Sequence, residues 1–214
     1  MAHHVIEQPI SHHLRRFMLH PGITLYFIRH GETDWNKAQR YQGRQDIPLN
    51  ATGRSQASRN GQALAAELGR AAPALDFVAS PLLRARETME IVRGEMRLAA
   101  RDYRVDDRLA EIHYGHWEGQ LWRELPQTDP EGYAARQADP WSWQPVGGES
   151  YRMLSDRIAL WLAEMRRDAV VVSHGGVSRV LRGLVLQLGG SEIAHLEVPQ
   201  DKVLLVTADA VRWL

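Results

Sequence analysis

Two histidines and two arginines follow short apolar runs at separate places in the sequence. Arg29 and His30 end the run LYFI, His174 follows AVVVS, and Arg84 lies one turn into a helix predicted after FVASP. A guanidinium group is planar and permanently charged, and it can make paired hydrogen bonds to phosphate oxygens. Because nearby positive charge disfavours the imidazolium form, a histidine in such a pocket stays neutral and can attack phosphorus. These residues therefore predict a phosphoryl-binding site with His30 or His174 as the nucleophile.

Each of these motifs is a weak signal by itself. An Arg-His-Gly tripeptide is more often an ordinary turn, and a His-Gly pair after a strand is more often the entry to a helix. Their matching strand contexts favour a site, because the carboxyl ends of parallel strands meet at one edge of a sheet. We expect Gly31 to let the backbone turn sharply or approach a ligand closely.

The hydrophobic pattern along the chain predicts alternating strands and helices. The predicted strands span residues 23–28, 75–79, 103–105 and 169–172, the predicted helices span 52–69, 81–97, 151–167 and 177–188, and strand and turn occupy 202–214. Thr52 is a candidate N-cap of the first helix. This alternation predicts an α/β fold with three layers, α/β/α, around a mostly parallel central sheet.

The chain is expected to form one main domain. Residues 1–20 are poorly patterned, residues 21–214 form the predicted domain, and residues 115–148 are rich in Trp, Pro, Gly and Gln. The weak periodicity of this last stretch predicts a lid-like insertion. The N-terminal histidines are interpreted as part of a flexible leader, with transition-metal binding as the alternative. They are His3, His4, His12, His13 and His20.

Composition excludes several classes of protein. The 26 basic residues balance 26 acidic ones, so no overall field favours nucleic acid or an anionic membrane as a partner. The chain contains no cysteine, which excludes disulfides, thiolate zinc sites and cysteine nucleophiles. No apolar run approaches the roughly 20 residues that span a bilayer. We therefore expect a soluble, cytoplasmic protein.

Six sequence blocks, in order, resemble the histidine phosphatase superfamily, the phosphoglycerate-mutase-like group of branch 1. They are RHGETDWN at 29–36, QGRQDIPLNATG at 42–53, SPLLRARET at 80–88, EIHYGHWEG at 111–119, GGES at 147–150 and SHGG at 173–176. Together they cover most of residues 23–188, and the set is highly specific. Within the group, the short insertion before VGGES is similar to that of the broad-specificity phosphatases.

The resemblance implies a role for each matching residue. His30 would become phosphorylated, while Arg29, Arg84 and His174 would bind the transferring phosphoryl group. Asn36 and the backbone of Gly175 would add hydrogen-bond donors, and Glu111 would be the proton donor. Further positions that would line the substrate pocket are Thr33, Gln42, Gly43 and Arg86.

The predicted chemistry needs no metal or other cofactor. Phosphoryl transfer passes through a loose transition state, so positioning and fixed positive charge supply most of the catalysis. Arginines here take the place of magnesium. Glu111 can first protonate the leaving alcohol and then activate water to hydrolyse the phosphohistidine. Two alternatives remain open at this stage, namely that Glu111 is a solvated loop acid and that Glu118 is the proton donor.

Three functions are compatible with these residues. The first is a phosphomonoesterase of broad specificity acting on small phosphate esters, the second is a phosphoglycerate mutase, and the third is a phosphate-binding protein without turnover. Between residues 119 and 147 the only cations are Arg123 and Arg136, whereas the mutases carry a lysine and an arginine pair in a longer insertion. We therefore expect net hydrolysis that includes apolar aryl esters. The oligomeric state stays open, with a homodimer as one option.

Several other side chains have structural interpretations. His113 and His116 flank the proposed acid and are expected to shape the pocket mouth, and His195 is expected on a strand. The aromatic residues of the insertion could form a lid over the site or a satellite core beneath a long loop. These residues are Trp117, Trp122, Trp141 and Trp143.

Overall fold

The computed structural model describes residues 19–214, so residues 1–18 of the predicted N-terminal segment lie outside the described residues. Its last two residues belong to the folded domain, because Leu19 is buried in the core and Nε2 of His20 lies 3.3 Å from the carbonyl oxygen of Ala163. Within this range six strands form one mixed sheet in the order β3-β2-β4-β1-β5-β6. The strands are β1 Leu25–Arg29, β2 Asp76–Ala79, β3 Arg104–Val105, β4 Ala169–Ser173, β5 Val203–Val206 and β6 Val211–Trp213. Strands β1 to β4 run parallel, whereas β5 and β6 are antiparallel to their neighbours.

Eight α-helices accompany the sheet in the described part of the chain. They are α1 Asp34–Lys37, α2 Ala51–Leu68, α3 Leu83–Glu95, α4 Leu125–Thr128, α5 Pro130–Ala138, α6 Tyr151–Ala163, α7 Gly175–Leu186 and α8 Gly190–His195. Short 3₁₀ turns occupy Gly69–Ala74, Asp107–Leu109, Gly115–Trp117 and Trp122–Glu124. In residues 19–214, no helix combines the length and the apolar character that a membrane crossing requires.

The helices cover both faces of the sheet, because its central strands are apolar on both sides. On one face, Ile28 and Val172 pack with α2 and α3 in one core cluster. On the other face, Phe27 and Val171 pack with α6, α7 and α8. The predicted three-layer α/β/α fold with a mostly parallel sheet is thus confirmed.

The register of β1 and β4 brings the two strand-end histidines together. Arg29 is the parallel partner of Ser173, so His30 and His174 each lie one residue beyond paired positions. The amide of His30 donates to the carbonyl of Ser173 over 2.9 Å, which extends the ladder to the turn. The rings of the two histidines lie 5.1 Å apart, centre to centre.

Three local predictions differ from the structure. Helix α2 is capped by Asn50, whose side-chain oxygen accepts from the amide of Gly53 over 2.9 Å, so the proposed cap at Thr52 is wrong. Helix α7 begins at Gly175, earlier than the predicted start at residue 177, and His174 is its N-cap residue. His195 lies at the end of helix α8 and not on a strand, and its Nδ1 contacts the carbonyl oxygen of Ser191 at 2.8 Å.

The stretch at 115–148 contains more regular structure than its composition indicated. It holds α4, α5 and two 3₁₀ turns. Trp117 and Leu125 are fully buried and form a small cluster with Tyr41, against which Trp143 packs. The satellite-core interpretation therefore holds for these tryptophans, while Trp122 is 51% exposed.

Candidate active site

A cleft of about 110 Å³ opens beyond the carboxyl ends of β1 and β4. Its lining combines cationic, aromatic and small residues with one carboxylate. The lining residues are Arg29, His30, Asn36, Arg40, Tyr41, Gln42, Gly43, Arg84, Glu111, Tyr114, Trp122, Gly175 and Arg179. The cleft therefore brings together most of the residues that the sequence motifs had selected.

His30 is buried and its ring orientation is fixed by two hydrogen bonds. Nδ1 lies 2.7 Å from the carbonyl oxygen of Gly31, which can only accept, so Nδ1 carries the proton. The lone pair is consequently on Nε2, and there the Nε–H of Arg84 donates to it over 3.2 Å. This tautomer presents Nε2 as the nucleophilic nitrogen.

The surroundings hold His30 in its neutral form. Burial lowers the pKa of His30 well below its ordinary value, and the positive charges of Arg84 and Arg29 lower it further. Burial likewise lowers the pKa of His174 well below its ordinary value, again with a contribution from Arg84. Both rings are therefore uncharged at neutral pH.

The two arginines predicted for this site are positioned by backbone carbonyl groups. Arg84 is fully buried and donates to the carbonyl oxygens of Gln45 at 2.7 Å and Gly43 at 2.8 Å. Arg29 donates to the carbonyl of Val198 over 2.6 Å, and its buried Nε has no partner among residues 19–214. Burial lowers the pKa of each guanidinium to about 10, so both stay charged at neutral pH.

His174 lies at the start of α7 and is held by Ser80. Its Nε2 is 2.6 Å from Ser80 Oγ, while its buried Nδ1 has no hydrogen-bond partner in the described part of the chain. The amide of Leu82 donates to the same Ser80 oxygen over 3.3 Å, which leaves the hydroxyl proton free to be donated to His174. In that arrangement Nδ1–H is available to an oxygen of a bound phosphoryl group. His174 itself lies behind the cleft wall and not among its lining residues.

Of the described residues, Glu111 is the only acidic one that lines the cleft. Its carboxylate accepts from the amide of Gly176 over 3.1 Å and from that of Ile112 over 3.0 Å. A side chain at Gly176 would collide with this carboxylate, since an added Cβ would lie 2.5 Å from Glu111 Oε1. The carboxylate is thereby fixed next to the N-terminus of α7, close to Arg29 and Gly175.

The loop that carries Glu111 is anchored by Glu149 of the GGES block. Glu149 accepts from Arg157 at 2.9 Å, from Arg44 at 3.1 Å and from the amide of His113 at 3.0 Å. Arg44 in turn donates to the carbonyl of Glu111 over 2.9 Å. Burial raises the pKa of Glu149, but Arg157 and the hydrogen bonds outweigh it and lower the pKa overall. Glu149 therefore acts on the backbone of Glu111 through Arg44, while Arg157 donates to the carbonyl of the preceding residue, Ala110, over 2.8 Å.

Glu118 lies outside the cleft. Its carboxylate accepts from the amides of Arg44 at 2.8 Å and Tyr114 at 3.1 Å, and from the side chain of Gln45 at 2.9 Å. The side chain is only 5% exposed. These contacts tie together two loops that flank the site, which makes Glu118 a structural residue and favours Glu111 as the acid.

The remaining predicted pocket residues are divided between the cleft and its supporting shell. Asn36, Gln42 and Gly43 line the cleft, whereas Thr33 is buried and does not. Thr33 Oγ1 donates to Gln42 at 2.9 Å, and its amide donates to Asn36 Oδ1 at 3.2 Å. Thr33 thus orients two lining side chains. Arg86 is exposed and is not among the lining residues, so the structure does not bring it into the site.

His113 and His116 also lie outside the lining. The ring of His113 accepts from the amide of Gly115 over 2.9 Å, and that of His116 pairs with Asp129 at 2.9 Å. They stabilise the loop after Glu111 and do not form the pocket mouth.

Gly31 has a different role from the one expected of it. A Cβ there would lie 2.2 Å from the carbonyl oxygen of Gly53 in α2. The glycine therefore permits close packing of α2 against the turn that carries His30.

The sequence analysis did not identify five of the lining residues as binding residues. Arg179 was detectable, because it follows Gly175 by four residues in a predicted helix and so shares its face. Arg40 gave no such signal, since it follows the short helix α1 at a non-periodic position. The other three are aromatic: Tyr41, Tyr114 and Trp122.

The sequence profile of one protein family, the histidine phosphatase superfamily (branch 1), matches residues 25–214. These residues include the whole sheet and all lining residues of the cleft. The chain belongs to this superfamily, as its motifs predicted. The fold and the buried histidine pair are thus those of an enzyme family that acts on phosphate groups.

Several relatives carry the names of phosphatases. The chain is 34% identical over 177 residues to a glucosyl-3-phosphoglycerate phosphatase of Mycobacterium tuberculosis, which covers 77% of this chain and 75% of the relative. It is 31% identical over 183 residues to an adenosylcobalamin/alpha-ribazole phosphatase of Salmonella typhimurium, covering 82% and 86%. A solved mycobacterial glucosyl-3-phosphoglycerate phosphatase in complex with VO3 superposes with a TM-score of 0.74 at 29% identity, covering 90% and 96%. These relatives support a phosphoric monoester hydrolase.

Proposed function

We propose that the protein hydrolyses small phosphate monoesters through a phosphohistidine on His30. The observation that carries the proposal is the fixed tautomer of His30, whose Nδ1 donates to the Gly31 carbonyl and leaves the lone pair on Nε2. A neutral imidazole with an available nitrogen is the form that can attack phosphorus. The position of Nε2 beside Arg84, with Arg29 also lining the cleft, supports phosphorus as the target.

The reaction proceeds in two half-reactions. In the first, Nε2 of His30 bonds to phosphorus, the ester P–O bond breaks, and protonated Glu111 gives its proton to the leaving alcohol. In the second, ionised Glu111 takes a proton from water, whose oxygen bonds to phosphorus as the P–N bond breaks. His30 then regains its lone pair, Glu111 its proton, and inorganic phosphate leaves.

Fixed positive charge stabilises the transition state of both steps. The unpartnered Nε–H of Arg29 and the unpartnered Nδ1 of His174 are the donors best placed for phosphoryl oxygens. Arg84 can move its Nε–H from His30 to a phosphoryl oxygen when Nε2 bonds to phosphorus. Because these donors are held before substrate arrives, little reorganisation accompanies the reaction.

The expected partner is a small phosphate ester, not a nucleic acid or a membrane, and the expected location is the cytoplasm. The equal numbers of acidic and basic residues support this proposal, and among the described residues the cleft lining holds four arginines and one acidic residue. Aryl esters are expected among the substrates because Tyr41, Tyr114 and Trp122 contribute to the lining. A homodimer remains compatible with the proposal.

Phosphoryl isomerisation is the second candidate function. A mutase must hold a second anionic group while the intermediate reorients, and Arg40 and Arg179 supply cations that residues 119–147 do not. One relative, phosphoglycerate mutase-like protein 4 of Arabidopsis thaliana, is named after this activity. Hydrolysis is favoured because the cleft is open to water, whereas a mutase must protect its phosphohistidine.

The test is a panel of phosphate esters assayed for phosphate release, with one arm for isomerisation. In that arm, 3-phosphoglycerate is supplied with and without 2,3-bisphosphoglycerate, and 2-phosphoglycerate and free phosphate are followed separately. We expect phosphate release without stimulation by the bisphosphate. Primer-dependent isomerisation faster than phosphate release would establish the mutase. Tight phosphate binding without turnover of any ester would indicate a binding protein.

A further inference from the structure

Gln200, in the connection between α8 and β5, links the backbone of the nucleophile to a side chain of the cleft lining. Its Nε2 donates to the carbonyl oxygen of His30 over 3.0 Å and to Oδ1 of Asn36 over 3.2 Å. Gln200 lies outside the six sequence blocks and is not among the lining residues of the cleft. Any effect of Gln200 on the reaction therefore passes through the groups that it holds.

The orientation of the Gln200 amide follows from its backbone partner. A peptide carbonyl oxygen can only accept, so the side-chain atom of Gln200 that faces His30 must be the nitrogen. The second N–H of the same nitrogen then points at Asn36. The orientation of Gln200 is thus set by a group whose role in the hydrogen bond cannot change.

The amide of Asn36 is in turn oriented from two sides by donors. Its Oδ1 accepts from the backbone amide of Thr33 over 3.2 Å as well as from Gln200. If the Asn36 amide turned by 180°, its NH₂ group would face both of these donors. Within residues 19–214 no hydrogen bond engages Nδ2 of Asn36, so both of its N–H groups are available to a ligand in the cleft.

The backbone that carries Gln200 is itself fixed. Nδ2 of Asn60, a buried residue of α2, donates to the carbonyl of Gln200 over 3.1 Å. Two residues before Gln200, the carbonyl of Val198 accepts from Arg29 over 2.6 Å. One short segment, residues 198–200, therefore holds both a cleft arginine and the amide of Asn36.

We infer that Gln200 is a positioning residue for phosphoryl transfer, because it turns Nδ2 of Asn36 toward the oxygens of the phosphoryl group. The inference rests on the proposed phosphatase function and adds a residue to it. A donor that is oriented before the substrate arrives stabilises the transition state without reorganisation. Without Gln200, the Asn36 amide can rotate and present its oxygen to an anionic oxygen, which is repulsive.

Two variants of similar size remove the donor of Gln200. Neither the ionised carboxylate of Gln200→Glu nor the thioether of Gln200→Met can donate a hydrogen bond. We expect each to lower kcat for phosphate release by about 10-fold or more, with little change in KM, since the interaction belongs to the transition state. An unchanged kcat in both variants would overturn the inference.

Gln144→Met is the matched control. Gln144 also donates through Nε2 to a backbone carbonyl, that of Gly148 over 2.8 Å, and it is not among the lining residues of the cleft. We expect this variant to keep the kcat of the unmodified protein. A loss equal to that in Gln200→Met would overturn the inference, because the effect would not depend on the contact with Asn36.

A second background shows whether Gln200 acts through Asn36. The two oxygens of the carboxylate in Asn36→Asp are equivalent, so in that variant there is no orientation to set. Adding Gln200→Met to Asn36→Asp should therefore lower kcat by less than about 2-fold, whereas independent effects would multiply. A further loss as large as that in the single Gln200→Met variant would overturn the inference.

The orientation can also be measured without turnover, which separates this inference from the proposed function. In isotopically labelled protein, the side-chain amide resonances of Asn36 should shift on addition of inorganic phosphate, and Gln200→Met should reduce the shift at saturation. If the proposed function failed, no ester would be hydrolysed, yet this shift would remain. An Asn36 amide that does not respond to phosphate in the unmodified protein would overturn the inference, even if the protein hydrolyses esters.

Discussion

The Nε–H of Arg84 donates to Nε2 of His30 over 3.2 Å, so an arginine N–H is bound to the lone pair that would attack phosphorus in the proposed mechanism. The same arginine is fixed by the carbonyls of Gly43 and Gln45. Substrate must therefore displace one hydrogen bond before His30 can attack, and the released N–H is then adjacent to the phosphoryl oxygens. In the proposed mechanism the same N–H of Arg84 first binds the lone pair of His30 and then stabilises the transition state.

The first prediction is that His30 carries the covalent intermediate. Quenching during turnover without acid should trap an acid-labile, base-stable phosphoryl group on His30, and His30→Ala should abolish activity. The control is His195→Ala, because His195 is exposed at the end of α8 and is not among the lining residues of the cleft. An adduct on His174, or full activity in His30→Ala, would contradict the assignment.

The second prediction concerns the two arginines of the phosphoryl site. Arg29→Ala and Arg84→Ala should each lower kcat by on the order of 10²–10³-fold, the scale for removing one preorganised oxyanion donor. Arg84→Ala should also lower the melting temperature, since Arg84 holds the carbonyls of Gly43 and Gln45. Arg86→Ala lies on the same helix outside the cleft and should change kcat little. Equal losses in Arg84→Ala and Arg86→Ala would show that the effect is not local to the cleft.

The third prediction separates Glu111 from Glu118. Glu111→Gln should slow alkyl phosphates much more than aryl phosphates, because a good leaving group needs little protonation. Glu118→Gln should lower thermal stability and slow both classes alike, since Glu118 accepts from two backbone amides and lines no part of the cleft. The measurement is kcat/KM for a series of leaving groups. If the dependence of kcat/KM on the leaving group changed only in Glu118→Gln, the acid role would belong to Glu118.

The fourth prediction is a loss of stability on acidification that depends on the buried histidines. Because the pKa values of His30 and His174 are lowered in the folded protein, the unfolded chain takes up their protons first as pH falls. Their contribution to the free energy of unfolding is complete above the ordinary histidine pKa of about 6.5. Below that pH it is lost progressively, by up to about 1.4 kcal/mol per pH unit for each proton. Urea unfolding between pH 7 and 5 should show this slope, and His174→Gln should reduce it. An unchanged slope in that variant would contradict the prediction.

The fifth prediction is that activity does not depend on a metal ion. The cleft presents guanidinium groups to the phosphate, and within residues 19–214 no group of three or more His, Asp or Glu side chains is placed to hold a metal. Dialysis against a chelator should therefore leave kcat unchanged. Loss of activity that returns on adding Mg²⁺ or Mn²⁺ would show that the phosphoryl site has been misinterpreted.

The sequence by itself determined the fold class and the centre of the site. Apolar runs that end in Arg29-His30 and in His174 are local patterns, and parallel strands deliver such ends to one edge of a sheet. The alternation of strands and helices likewise depends on short-range periodicity, so the three-layer arrangement followed from it. Family motifs then identified Glu111, which lies in the cleft as expected.

Only the tertiary structure decided which of the competing side chains reach the cleft. Glu111 and Glu118 are seven residues apart in one motif, yet Glu118 accepts from the amide of Arg44 in a distant loop and has a structural role. Arg179 and Arg40 enter the cleft from α7 and from the segment after α1, although a search for cations in the insertion alone overlooks both. Arg86, which the motif favoured, is exposed and is not among the lining residues. Long-range packing sets these positions, and no local pattern of residue types contains that information.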